Sequence, residues 1–224
     1  MTRSRAQFAA LLLAGGAALG LAARSLDLLP ALPWELTGLV SSVGAWGFVA
    51  VLTGFLAGSR RRGALGGAVV LLVASLLYYA ISFASGNWQT QYYDSTTNVV
   101  FPEQGLAALV RNCLLWCAAS VVGGPVLGLI GAIIRRGPGR AAALAAGAVG
   151  GLLATGALVR LWRGLFWPET AVSSILELAV VLIGIVALFA RRDGRRLWPT
   201  FVVALAATAI IATAGWANIP SMGF

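Results

Sequence analysis

Long apolar runs and short polar turns alternate along the whole chain. Seven runs approach the ~20 residues that an α-helix needs to cross a hydrocarbon core. They predict helices over residues 7–24, 37–58, 64–85, 107–134, 141–161, 171–190 and 198–218. On one side the turns are tight and rich in Arg and Gly, at 59–63, 135–140 and 191–196, with Pro138 and Pro199 as punctuation. The connections on the other side, at 25–36, 86–104 and 162–170, hold Trp, Tyr and most of the acids.

Composition agrees with this alternation. The 224 residues are 59% hydrophobic and only 10% charged, whereas a soluble domain is about a quarter charged. The expectation is one integral membrane domain over 1–224, an all-α multi-pass bundle of the cell membrane. Its basic side chains are all Arg, and twelve of them form four clusters: Arg3/Arg5, Arg60/Arg61/Arg62, Arg135/Arg136/Arg140 and Arg191/Arg192/Arg195/Arg196. Arginine near span ends stays cytoplasmic. The pattern therefore predicts a cytoplasmic N-terminus and an outside C-terminus, with Arg24, Arg111, Arg160 and Arg163 on the outer side. The net charge of +9 then reflects topology and contact with membrane lipid, and no nucleic-acid partner is expected.

Absences narrow the chemistry. The chain has no His, which removes His-based zinc, haem and triad sites. No metal and no cofactor is expected. Without Lys there is no Schiff base. Cys113 and Cys117 stand four apart on one helix face, as small apolar fillers rather than a disulfide. The first 23 residues look like a signal peptide, but the preferred reading is an uncleaved first helix.

Glycines recur four apart at Gly16/Gly20, Gly54/Gly58, Gly63/Gly67, Gly124/Gly128 and Gly147/Gly151, which predicts close helix packing. Gly123-Gly124-Pro125 predicts a kink. Polar side chains within the helices gather in the outer half: Ser41, Ser42 and Trp46; Ser75, Tyr78, Tyr79 and Ser82 on one face; Arg111, Asn112, Trp116 and Ser120; Ser173, Ser174 and Glu177; Thr213, Trp216 and Asn218. Polar groups in hydrocarbon need partners or water. Their convergence predicts either an interhelical hydrogen-bond network or a pocket open outward, lined by Trp46, Tyr78, Tyr79, Arg111, Asn112, Trp116 and Trp216. Glu177, with apolar neighbours two turns inside its helix, is the first candidate for chemistry, and Asp94 in the longest outer loop the second. Arg111 is the expected partner of Glu177. The belt of Trp34, Trp88, Trp162 and Trp167 has an ordinary interfacial explanation.

The run SSVGAWGFVAVLTGFLAG (41–58), the Tyr78-Tyr79 pair and GGPVLGLIGA (123–132) resemble an uncharacterised actinobacterial membrane-protein family. Members of that family often carry a Glu in the fifth helix. Here the stretch reads GGLLATGALVR (150–160), without one, which shifts attention to Glu177 or a loop acid. Size, helix count and the lack of Lys and His are also similar to bacterial membrane-bound terpene cyclases of indole-terpenoid pathways. That likeness implies protonation-initiated carbocation cyclisation of a prenylated lipophilic substrate, with Glu177 or Asp94 as the acid and aromatic faces stabilising the cation. The competing readings are a small-molecule or proton-coupled carrier with Glu177 as coupling acid, a substrate-binding membrane subunit, and a purely structural membrane protein.

The predicted topology has a direct check. A cysteine placed at Thr96 reacts with an impermeant reagent from outside the cell, and one at Gly137 only from the cytoplasm; the opposite pattern inverts the orientation.

Overall fold

A computed structural model describes residues 5–29, 34–90, 93–94, 99–164, 169–191 and 195–217. Eight α-helices dominate it: α1 Arg5–Asp27, α2 Trp34–Val40, α3 Val43–Leu56, α4 Arg60–Ala84, α5 Pro102–Arg136, α6 Gly139–Gly164, α7 Glu169–Ala190 and α8 Trp198–Ala217. Short 3-10 turns occupy Asn87–Thr90 and Arg195–Leu197. A two-residue ladder pairs Tyr93 with Val100 and Asp94 with Val99 in the loop before α5. Six helices are long and apolar enough to cross a membrane: Ala6–Asp27, Arg60–Ala84, Pro102–Arg136, Gly139–Trp162, Ala171–Ala190 and Trp198–Gly215. The chain is a membrane-type helical protein.

The seventh expected span is the exception. Residues 37–58 do not form one helix; the chain breaks at Ser41 and Ser42 into α2 and α3. The 14 residues of α3 reach only about 21 Å, short of the ~30 Å hydrocarbon thickness. Two polar residues in succession explain the break. Ser42 is extended (φ −76°, ψ 148°), and its hydroxyl accepts the N–H of Ala45 at 3.1 Å as an N-cap.

Small residues let the helix backbones touch, as the glycine spacing predicts. A Cβ at Gly54 or Gly67 would overlap the carbonyl of Gly128 or Gly124, and one at Gly128 the carbonyl of Gly63. These contacts seat α3 and α4 on α5. Gly16 and Gly20 seat α1 on α4 at Val70 and Ala74, and Gly147 and Gly151 seat α6 on the α8 backbone at Phe201 and Leu205. Gly58 departs from the pattern, since it is exposed and meets only Arg62. α5 stays helical through Pro125, the position of the expected kink.

The apolar core lies toward the arginine-bearing turns. Val51 and Phe55 of α3 pack there with Ile134, Val149, Leu153, Val181, Ile185, Phe189 and Phe201. Arg135 closes that end by donating to the Phe55 carbonyl at 3.0 Å, its guanidinium 5.7 Å from the Phe55 ring centre. Hydrogen-bonded polar groups collect at the opposite end, where α1 stops and α3 starts. The contrast between an apolar and a polar end, read from the sequence, is therefore a feature of the packing.

A methyl group at Gly128 has no room, whereas one at Gly58 has. Gly128→Ala should lower stability by about 1–3 kcal/mol through forced helix separation, and Gly58→Ala by less than about 0.5 kcal/mol. Unfolding of the two variants in detergent measures the difference.

Candidate functional site

Two polar assemblies meet at the start of α3. The first is an ion pair between a buried carboxylate and a partly exposed guanidinium. Glu177 on α7 is 2% exposed. Its Oε1 accepts the N–H of Gly44 at 3.2 Å, and its Oε2 pairs with Nη2 of Arg160 from the end of α6. Arg160 Nε donates to Ser174 Oγ at 3.3 Å, and Ser174 is fully buried. The carboxylate thus rests between a guanidinium and the positive end of a helix. Gly44 is required there, because a Cβ would press on Oε1 and on the Leu153 carbonyl.

The second assembly joins α1, α3 and α4. Asp27 at the end of α1 accepts from the Tyr78 hydroxyl at 2.7 Å and from Ser41 at 2.9 Å. Trp46 donates its indole N–H to the Val40 carbonyl at 2.9 Å, across the helix break. The Trp46 and Tyr78 rings meet edge-on at 6.1 Å, as do those of Tyr78 and Tyr79 at 5.2 Å. Arg24 lies over Tyr78, 5.7 Å from the ring centre, and donates from Nη2 to Ser85 at 3.1 Å. Its Nε is buried with no hydrogen-bond partner among the described residues.

These side chains enclose two adjoining cavities that share Tyr78 and Tyr79. The smaller, about 100 Å³, is lined by Ser41, Ser42, Val43, Trp46, Tyr78, Tyr79 and Trp116. The larger, about 320 Å³, is lined by Arg24, Tyr78, Tyr79, Ser82, Asn87, Trp88, Leu109 and Asn112. The Tyr79 hydroxyl and the Asn112 amide make no hydrogen bond to another described residue. Ser75 is used differently: its hydroxyl bonds Ser120 at 3.2 Å, tying α4 to α5 away from either cavity.

Five of the sequence-derived pocket residues therefore converge: Trp46, Tyr78, Tyr79, Asn112 and Trp116. Arg111 does not. It sits on the outward face of α5 with Glu103, Leu106 and Leu114 along a shallow apolar groove, so the expected Arg111–Glu177 pair is replaced by Arg160–Glu177. The helix phase accounts for this correction. Ala108, Asn112, Trp116, Ser120, Gly124 and Gly128 recur every four residues on the inward face of α5, and Arg111 is off that stripe. On α6, Leu153, Ala157 and Arg160 share the face turned to α3 and α7. Glu177 is buried as expected but lines neither cavity. The side chains of Asp94 and Trp216 lie outside the described residues. Sequence reasoning passed over Arg24, Asp27, Gly44 and Arg160. Arg24 and Arg160 had a signal, as two of the few arginines away from the clusters; Gly44 had none.

A family described as "Family of unknown function (DUF6518)" matches residues 1–219. No curated protein and no solved structure matches the chain. The match agrees with the likeness to an uncharacterised family noted from the helical runs.

The ion pair predicts asymmetric mutational costs. Arg160→Ala strands a buried carboxylate and should destabilise the protein by about 1–3 kcal/mol, below the full cost of a broken buried pair because Arg160 is partly exposed. Glu177→Gln keeps an acceptor for Gly44 and should cost less. Unfolding of the single and double variants in detergent should give a double-mutant loss smaller than the sum.

Proposed function

We propose that this chain, which belongs to the family of unknown function DUF6518, is a membrane-embedded protein that captures a small amphiphilic molecule and serves its passage rather than its chemical conversion. The observation that carries this reading is the pair of ring-walled cavities meeting at Tyr78 and Tyr79, beside a break in an apolar helix. Largely apolar clefts with a few convergent polar groups are where small ligands bind. Non-helical backbone at membrane depth is tolerated where it is buried or faces a cavity, and broken helices of this kind occur at carrier binding sites.

In this reading Glu177 does not touch the ligand. It holds Gly44, and the next residues back along the chain, Val43 and Ser42, form the wall of the smaller cavity. Protonation of Glu177 would weaken the charge-assisted bond to Gly44 and release Arg160, and so let the α3 N-terminus and that wall shift. The acid is thus a coupling group between protonation and cavity shape, as a proton-coupled carrier needs.

Cyclisation of a prenylated substrate shares the aromatic walls, which suit a carbocation. It also needs a proton-donating acid at the substrate. Among the described residues no carboxyl lines either cavity, and Glu177 and Asp27 both spend their oxygens on internal partners. The carrier reading ranks first for that reason.

Calorimetric titration of the full chain in zwitterionic nanodiscs with 2-naphthaleneacetate and with its amide should give saturable binding of at least one of them. Trp116→Ala should weaken it roughly 2- to 10-fold, and Leu114→Ala, on the exposed face of α5, should leave it unchanged. Unsaturable uptake, alike in all three proteins, would discard the binding reading.

A further inference from the structure

The larger cavity is polar in a way that a purely apolar ligand would not use. Resting on the proposed binding role, we infer that its occupant carries an anionic head, a carboxylate or phosphate oxyanion, received by Arg24 and oriented by Asn112 and Tyr79.

Three observations support this. Arg24 is a half-buried cation with no ion-pair partner among the described residues; its nearest acid on α1, Asp27, bonds Tyr78 and Ser41 instead. The guanidinium commits Nη2 to Ser85 and lies over the Tyr78 ring, while its Nε is buried without a partner among the described residues, so none of its donors is neutralised by an acid there. The Asn112 amide and the Tyr79 hydroxyl, which line the same cavity, are also unspent. A planar guanidinium fork beside neutral donors suits an oxyanion, whose oxygens accept several bonds at once.

The smaller cavity sets the other half of the ligand. Its walls carry Trp46, Trp116 and Val43 with the shared tyrosines, beside the serines of the helix break. A head in the larger cavity therefore continues, past Tyr78 and Tyr79, into a flat apolar or aromatic body of a few ring atoms. The class is an aromatic or short-chain organic acid. A lipid phosphate entering sideways would satisfy the same donors.

The test compares 2-naphthaleneacetate with the isosteric, neutral 2-naphthaleneacetamide by calorimetry in zwitterionic nanodiscs. The wild type should bind the carboxylate at least about tenfold more tightly, the order of one charge-assisted contact. Arg24→Gln should abolish that preference, and Arg24→Lys should restore part of it. Because Arg24 also steadies Ser85, Asn112→Asp provides an independent arm: it preserves shape, places a negative charge in the cavity, and should remove the preference while changing amide binding less than about threefold. Equal affinity for both probes in the wild type, or a preference that survives both Arg24→Gln and Asn112→Asp, overturns the anionic head and leaves the binding role standing. Absence of saturable binding for either probe overturns the binding role itself. Repeating the titration in phosphatidylglycerol nanodiscs identifies the source. A carboxylate affinity that falls there, and falls less in Asn112→Asp, assigns the site to lipid phosphate; an unchanged affinity assigns it to a free organic acid.

Discussion

A helix break leaves backbone donors and acceptors that must find partners wherever water is excluded. The break at Ser41 and Ser42 imposes that constraint on this protein, and the polar groups around it are arranged as its answer. Ser42 takes the N–H of Ala45, Glu177 takes that of Gly44 from a helix 133 residues away, and Trp46 supplies a donor to the Val40 carbonyl. Two of these partners are local to the break and the third arrives from α7. Local capping by Ser42 starts α3, and docking of α6 and α7 completes its first turn.

The cavities follow from the same geometry. A straight helix from 37 to 58 would run its side chains past Tyr78 in regular rows. The break ends one helix and starts another at the level of the tyrosines, so Ser41, Ser42 and Val43 present backbone and small side chains there. The space left is walled by rings, whose edges and faces tolerate irregular packing. At the far end no such interruption exists, and α3 packs by direct backbone contact at Gly54 and through Phe55 into a dense apolar core. One end of the bundle is built for stability and the other for a void, and α3 links them. That division also gives the proposed coupling its route: Glu177 lines neither cavity but holds Gly44 at the start of α3.

The ion pair and the Asp27 cluster differ in how their charges are handled. Glu177 is neutralised by Arg160 and a helix N-terminus, and its surroundings leave no room for a ligand at Gly44. Asp27 and Arg24, one turn apart on α1, are not joined to each other; each is held by neutral hydroxyls. Hydroxyl partners position a charge without cancelling it, which keeps Arg24 available for an anion while Asp27 braces the two helices beside it.

Much of the fold was legible because it depends on local chemistry. Run length and hydropathy marked six helices, glycine spacing marked the faces on which they touch, and the crowding of rings and hydroxyls near one set of span ends marked the region of the cavities. The burial of Glu177 also followed from its apolar neighbours. Pairing and interruption were not local. Arg111 and Arg160 both stand apart from the arginine clusters, and only the rotation of α5 and α6 in the packed bundle turns one outward and the other onto Glu177. Residues 37–58 are apolar enough to read as one span; the break rests on the Ser42 cap, which is local, and on the Glu177 acceptor, which only tertiary contact brings to it. Hydrophobicity along a chain is additive and can be read residue by residue; the partner of a buried polar group is fixed by helix rotation and depth, which exist only after the helices have packed.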